Sequence, residues 1–178
     1  MAGQRLTDKT ALEEQAGSGD LLMLVDVSDT TGSSAGTSKK TDFKYVIQTD
    51  KFSLDNAAVI DLSHSGNPKT LAGALSGYMI TPFSVTILVT HAGSTESSSN
   101  NLMVGFDSSN DSSYWFQVRD FMNGSTDSRT YIMNSYMPVG AACASSILNK
   151  PFVMWTNAAL NGGYSMDVYF TYAYTKIL

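Results

Sequence analysis

The sequence predicts an all-β protein: a β-sandwich of jelly-roll type over residues 55–178, preceded by a small N-terminal segment, residues 1–54, that contains a β-hairpin. Three observations lead there. Beyond Asp55 the chain carries about seven short runs rich in β-branched and aromatic residues. Clusters of Gly, Ser, Asn and Asp separate most of them. No long stretch repeats its apolar residues at helical spacing, and many short strands without helices specify a sandwich or jelly roll.

In chain order, Thr7 or Asp8 can cap a helical turn that Gly17-Ser-Gly19 ends within about three turns. Leu21 to Val27 is a short apolar run of the kind found in strands buried on both faces. Phe43, Tyr45 and Ile47 alternate with Asp42, Lys44 and Val46, the period of a half-buried strand. Between these runs, Ser28–Lys40 is rich in Gly, Ser and Thr and is expected to be the hairpin loop. An isolated hairpin is marginal in water, so this segment needs something to pack against.

The expected strands of the second part are Ala57–Leu62, Phe83–His91, Asn101–Phe106, Tyr114–Phe121, Thr130–Tyr136, Phe152–Asn157 and Tyr164–Ile177. Lys69–Tyr78 has the length of a short helix, but its two glycines favour a packed loop. Asn123-Gly124 and Asn161-Gly162 signal type I′ hairpin turns. In the last run Met166, Val168, Phe170, Tyr172 and Tyr174 share one face, and its length, about 46 Å when extended, predicts a bend, a bulge or an end that leaves the domain.

Charged residues are only 15% of the chain, below the roughly 25% of ordinary soluble domains, while hydrophobic residues reach 43%, enough for a packed core. The net charge is −5, and Lys39-Lys40 is the one basic pair. Nucleic-acid binding needs clustered cations to displace phosphate counterions, so no nucleic-acid partner is expected. No apolar run approaches the ~20 residues of a membrane helix, and the N-terminus lacks the apolar core of a signal peptide, so no membrane partner is expected either.

Catalytic chemistry finds little support. His64 and His91 stand at strand ends without a Gly-x-Ser-x-Gly turn. Cys143 is the single cysteine, in a small-residue context that suits a buried structural thiol. One cysteine and two distant histidines do not make a zinc site, and Asp107–Asp111 lacks the glycine and distal glutamate of a calcium loop. Paired carboxylates for glycoside hydrolysis can be drawn from Asp107, Asp111, Asp120, Asp127 and Asp167, but their separations are not legible, and Glu96 is the only glutamate after residue 14. No catalytic residue, metal or cofactor is expected. The aromatic candidates for ligand contact are Trp115 and Trp155, with Trp115 on the same strand face as Gln117 and Arg119 and therefore expected to be exposed.

One stretch is more specific. Asp20-Leu-Leu-Met-Leu-Val-Asp26 is followed by a small-residue turn and by Gly36-Thr-Ser-Lys-Lys40. From about Leu6 to Ile47 the chain resembles the N-terminal segment of bacteriophage virion proteins, the tail fibres, spikes and head fibres. The resemblance implies a non-enzymatic structural protein of the virion, made in the host bacterial cytoplasm. It further implies a homotrimer that docks on capsid, tail or baseplate proteins through Leu21, Leu22, Val25, Asp26, Lys39 and Lys40 and displays its sandwich to a host-surface glycan or a protein. Many fibres of this kind are several times longer. The competing expectation, a free-standing carbohydrate-binding module, accounts for the sandwich and the aromatics but not for residues 1–54.

Overall fold

The computed structural model describes residues 21–32, 34–42, 46–62, 67–106, 114–134 and 147–177. The chain forms two units, Met1–Val46 and Ile47–Leu178. The expected helical turn near Thr7, the strand residues Phe43 and Tyr45, His64, Cys143, Asp107 and Asp111 lie outside the described residues.

The first unit contains an antiparallel hairpin of β1, Leu21–Asp26, and β2, Thr37–Asp42, paired from Leu21 with Asp42 to Asp26 with Thr37. The turn is therefore shorter than expected, because Thr37 to Lys40 extend the ladder. The expectation that β1 is buried on both faces is overturned. Leu22, Met23 and Leu24 are 37%, 69% and 48% exposed, and among the described residues β1 pairs with β2 alone.

The second unit contains β3 (Gln48–Leu54), β4 (Lys69–Ala72), β5 (Tyr78–His91), β6 (Leu102–Phe106), β7 (Tyr114–Val118), β8 (Arg129–Asn134), β9 (Phe152–Thr156) and β10 (Tyr164–Lys176). One sheet has the order β3-β10-β5-β8 and the other β4-β9-β6-β7, and every ladder is antiparallel. Among these eight strands the first lies beside the last, the second beside the seventh, the third beside the sixth, and the fourth beside the fifth. Alternate pairs fall in alternate sheets, which is a long double ribbon wrapped into a jelly roll. The unit starts at Ile47 rather than Asp55, because β3 hydrogen-bonds along β10 from Gln48 to Leu54.

Several local expectations change. Residues Asn56–Ile60 form a short helix, α1, where a strand was expected. Asp55 caps it by accepting a hydrogen bond from the Ala58 amide at 2.9 Å, and short apolar runs do not distinguish strand from helix by period. Lys69–Ala72 is a strand within the expected loop. Neither Asn-Gly pair turns a hairpin. The chain between β7 and β8, and again between β9 and β10, passes from one sheet to the other. The ladder of the last strand is irregular, but the extra residue is in its neighbour: the register shifts at Thr171/Tyr172, where Phe83 of β5 is left without a partner.

The inner faces meet in an aromatic core. Phe152 stacks on Phe170 at 4.7 Å, Phe170 on Tyr172 at 4.8 Å, and Phe106 and Trp115 meet Phe152 edge-on. Each such ring contributes about 2–3 kcal/mol by burial, and the geometry of each pair about 1 kcal/mol more. Strands β6 and β9 are buried on both faces. Met103, Val153 and Trp155 form a second buried cluster, alternating along their strands with Val104, Phe152 and Met154 of the main core. That explains the unbroken apolar runs of β6 and β9.

Candidate functional site

Polar side chains fix the hairpin turn before any apolar contact is needed. The Asp26 carboxylate accepts from the Ser28 amide at 3.0 Å and the Ser28 hydroxyl at 2.6 Å, and Asp29 accepts in the same way from Thr31. These are two consecutive Asx turns. Across the loop the Thr37 hydroxyl donates to the Asp29 carbonyl at 2.7 Å and accepts from the Gly32 amide at 3.0 Å. Lys39 closes the loop with an ion pair to Asp29 at 2.5 Å. Hydrogen bonding from Lys39, then from Thr31, holds the Asp29 carboxyl at about 2, and Ser28 lowers that of Asp26.

The six residues expected to mediate attachment are thereby placed. Leu21, Leu22, Val25 and Asp26 lie in β1, and Lys39 and Lys40 in β2. Opposite neighbours share a face of a ladder. Leu22 and Leu24 accompany Lys39 on one face, whereas Met23 sits opposite Lys40 on the other. The two lysines therefore do different things: Lys39 is engaged by Asp29, and Lys40 has no ion-pair partner among the described residues. The sequence pattern did not single out Met23, Leu24 or Val27, yet these are the most exposed apolar side chains of the hairpin, Val27 at 76%. A hydrogen-bonded turn thus carries exposed apolar side chains of β1 beside a cation.

Trp115 and Trp155 do not form an exposed platform. Trp115 is 6% exposed, and Trp155 is fully buried. Trp115 is the extra residue where the β6–β7 register shifts between Val104 and Gly105, so the strict alternation that put it outside does not apply. Trp155 lies against Met103 and Val153. Of the described acidic candidates, Asp120 and Asp127 are exposed, while Asp167 pairs with Lys51 at 2.9 Å and accepts from the Ser53 hydroxyl at 2.6 Å.

The most concentrated polar site is one the sequence did not advertise. Glu96, between β5 and β6, is fully buried. Its carboxylate accepts from the Ser98 amide at 2.9 Å, the Ser98 hydroxyl, the Asn161 amide at 2.9 Å, the Gly162 amide at 2.8 Å and the Tyr164 hydroxyl at 2.5 Å. Burial raises the Glu96 carboxyl, but the hydrogen bonds from Ser98, Tyr164 and Asn161 outweigh it and hold the group at about 2. Tyr164 is pushed well above its ordinary value by burial and by Glu96. With its oxygens committed to five donors, Glu96 ties loops together rather than exchanging protons. Its backbone carbonyl also accepts from Gly124 at 2.8 Å, which brings in the β7–β8 crossing. The only advance signal was its isolation as the sole glutamate of the second unit.

No protein-family model matches the chain, and no curated protein matches it.

Proposed function

We propose that the chain is a non-enzymatic structural protein of a bacteriophage virion, a fibre or spike that docks by its N-terminal hairpin and displays its jelly roll for host-surface or protein contact. The observation that carries this reading is the hairpin itself, whose turn is locked by Asp26, Asp29, Thr37 and Lys39 while Leu22, Met23, Leu24 and Val27 stay uncovered. A hairpin gains little from folding alone and much from being covered. The resemblance of residues 6–47 to virion attachment segments supplies the covering partner: capsid, tail or baseplate protein, with the position on head or tail left to experiment. A homotrimer suits it, because closed symmetry repeats a weak element and uses each interface. The protein is then made in the host cytoplasm and resides in the particle.

Replacement of Met23 and Leu24 by Asp tests this directly. Each buried apolar side chain is worth about 1.5–3 kcal/mol. Incorporation into gradient-purified particles, read by immunoblot, falls more than about ten-fold, while the circular dichroism of the jelly roll is unchanged. Undiminished incorporation refutes the role of the hairpin.

A further inference from the structure

The two faces of the hairpin differ in both exposure and charge. Side chains directly opposite one another in an antiparallel ladder share a face, so the register puts Leu22, Leu24 and Lys39 on one side and Met23 and Lys40 on the other. On the first side the leucines are 37% and 48% exposed, and the lysine is engaged by Asp29 at 2.5 Å. On the second, Met23 is 69% exposed, and Lys40 is exposed with no ion-pair partner among the described residues. Apolar exposure and uncompensated charge are separate observations, and both single out the same face.

The unmet charge specifies the surface that fits there. A partner that covers Met23 also reaches Lys40, because opposite Cβ atoms in a ladder lie about 5 Å apart. A lysine taken into an interface without an anion loses hydration with no compensating attraction. The partner therefore needs an apolar recess with a carboxylate beside it. The same carboxylate brought to Lys39 would meet Asp29, which already occupies that lysine. The chain carries a net charge of −5, and Lys39-Lys40 is its one basic pair. Against that background an acidic rim is drawn to this strand, and charge complementarity of this kind sets orientation and register more than affinity.

Resting on the virion reading above, we propose that the face bearing Met23 and Lys40 is the docking face of the hairpin. The capsid, tail or baseplate protein that it meets takes Met23 into an apolar recess, and an aspartate or glutamate at the rim of that recess pairs with Lys40. Lys39 has a different task, holding the turn through Asp29.

Carbodiimide cross-linking of purified wild-type particles joins a lysine amine to a carboxylate in direct contact with it, and so reads the pair without any variant. Mass spectrometry finds Lys40 joined to an aspartate or glutamate of a different virion protein. A Lys40 link to this chain alone makes the face a contact between copies and overturns the proposal, as does a chain whose other lysines are linked while Lys40 is not. Incorporation into gradient-purified particles, read by immunoblot, gives the second arm. K40M keeps the apolar stem and loses the charge, and incorporation falls about five-fold, the upper range for an exposed ion pair. K40E sets like charges against each other, and the fall exceeds about thirty-fold. K176E, the same change of charge at the end of β10, enters as wild type does. If K40E also enters as wild type while the Met23 and Leu24 replacements are excluded, hairpin docking stands and the carboxylate partner is refuted. A chain absent from all particles refutes the virion reading and this inference with it.

Discussion

Replacing Glu96 by Gln removes one charge and keeps the shape, so it isolates what the buried carboxylate does. The amide retains one acceptor oxygen. If that oxygen occupies the place that now receives Asn161, Gly162 and Tyr164, three hydrogen bonds persist without their charge, and the new NH2 group faces the Ser98 amide. Hydrogen bonds to a charged group are worth about 1.5–3 kcal/mol and neutral ones about 1, and an orphaned buried donor costs a further 1–3 kcal/mol. Relief of the desolvation of the carboxylate offsets part of this, leaving E96Q destabilised by about 3 kcal/mol, or about 10 °C for a unit of this size. Acid provides an independent reading. The carboxyl lies at about 2 in the fold against an ordinary 4.5, so its stabilisation is complete above 4.5 and is lost as pH falls toward 2. Each pH unit of separation corresponds to about 1.4 kcal/mol. After a discount for solvent screening at the loop end, about 2 kcal/mol is at stake. Urea denaturation of both proteins from pH 7 to pH 2.5 is the assay. The wild type loses its advantage over E96Q as pH drops below about 4.5. An E96Q protein as stable as wild type at pH 7, or a difference independent of pH, refutes the role assigned to this carboxylate.

Three further outcomes follow from the same geometry. At Gly163 an added Cβ falls 2.5 Å from the Gly93 Cα and 2.6 Å from the Ser94 amide nitrogen, so G163A lowers stability by about 2–3 kcal/mol in chemical denaturation, whereas G73A, which meets nothing within 4 Å, does not suffer this clash. F152A removes the ring at the centre of the aromatic stack and costs about 3–5 kcal/mol, measurable as a lower denaturation midpoint with the slope unchanged. In the hairpin, an NMR titration finds the Asp29 carboxyl at about 2 in the wild type. In K39A it moves back up toward the ordinary value, and an unmoved midpoint contradicts the ion pair.

Much of the jelly roll was legible because alternation and turn chemistry are local signals. Tyr164–Ile177 carries its own alternation and holds β10, and the β-branched and aromatic runs Phe83–His91 and Phe152–Asn157 hold β9 and the larger part of β5, which begins at Tyr78. What failed was set by partners distant in sequence. Asn123-Gly124 and Asn161-Gly162 have hairpin chemistry, but the strands flanking each pair belong to different sheets, which no dipeptide encodes. Trp115 was expected outside because strict alternation cannot anticipate one extra residue in a ladder. The apolar run of β1 reads like a buried strand, and only the structure shows Met23 and Leu24 uncovered. Glu96 was visible only as an isolated acid, since its five donated bonds come from Ser98 beside it and from Asn161, Gly162 and Tyr164, more than sixty residues away, whose Asn-Gly pair points to a turn and not to a carboxylate.

The central claim is residence in the virion. Immunogold labelling of purified particles with antibody raised against residues 47–178 tests it most directly. The account predicts gold on the particle, at the capsid for a head fibre or decoration protein and at the tail tip for a tail fibre or baseplate adaptor. Absence of gold from both intact and opened particles contradicts it.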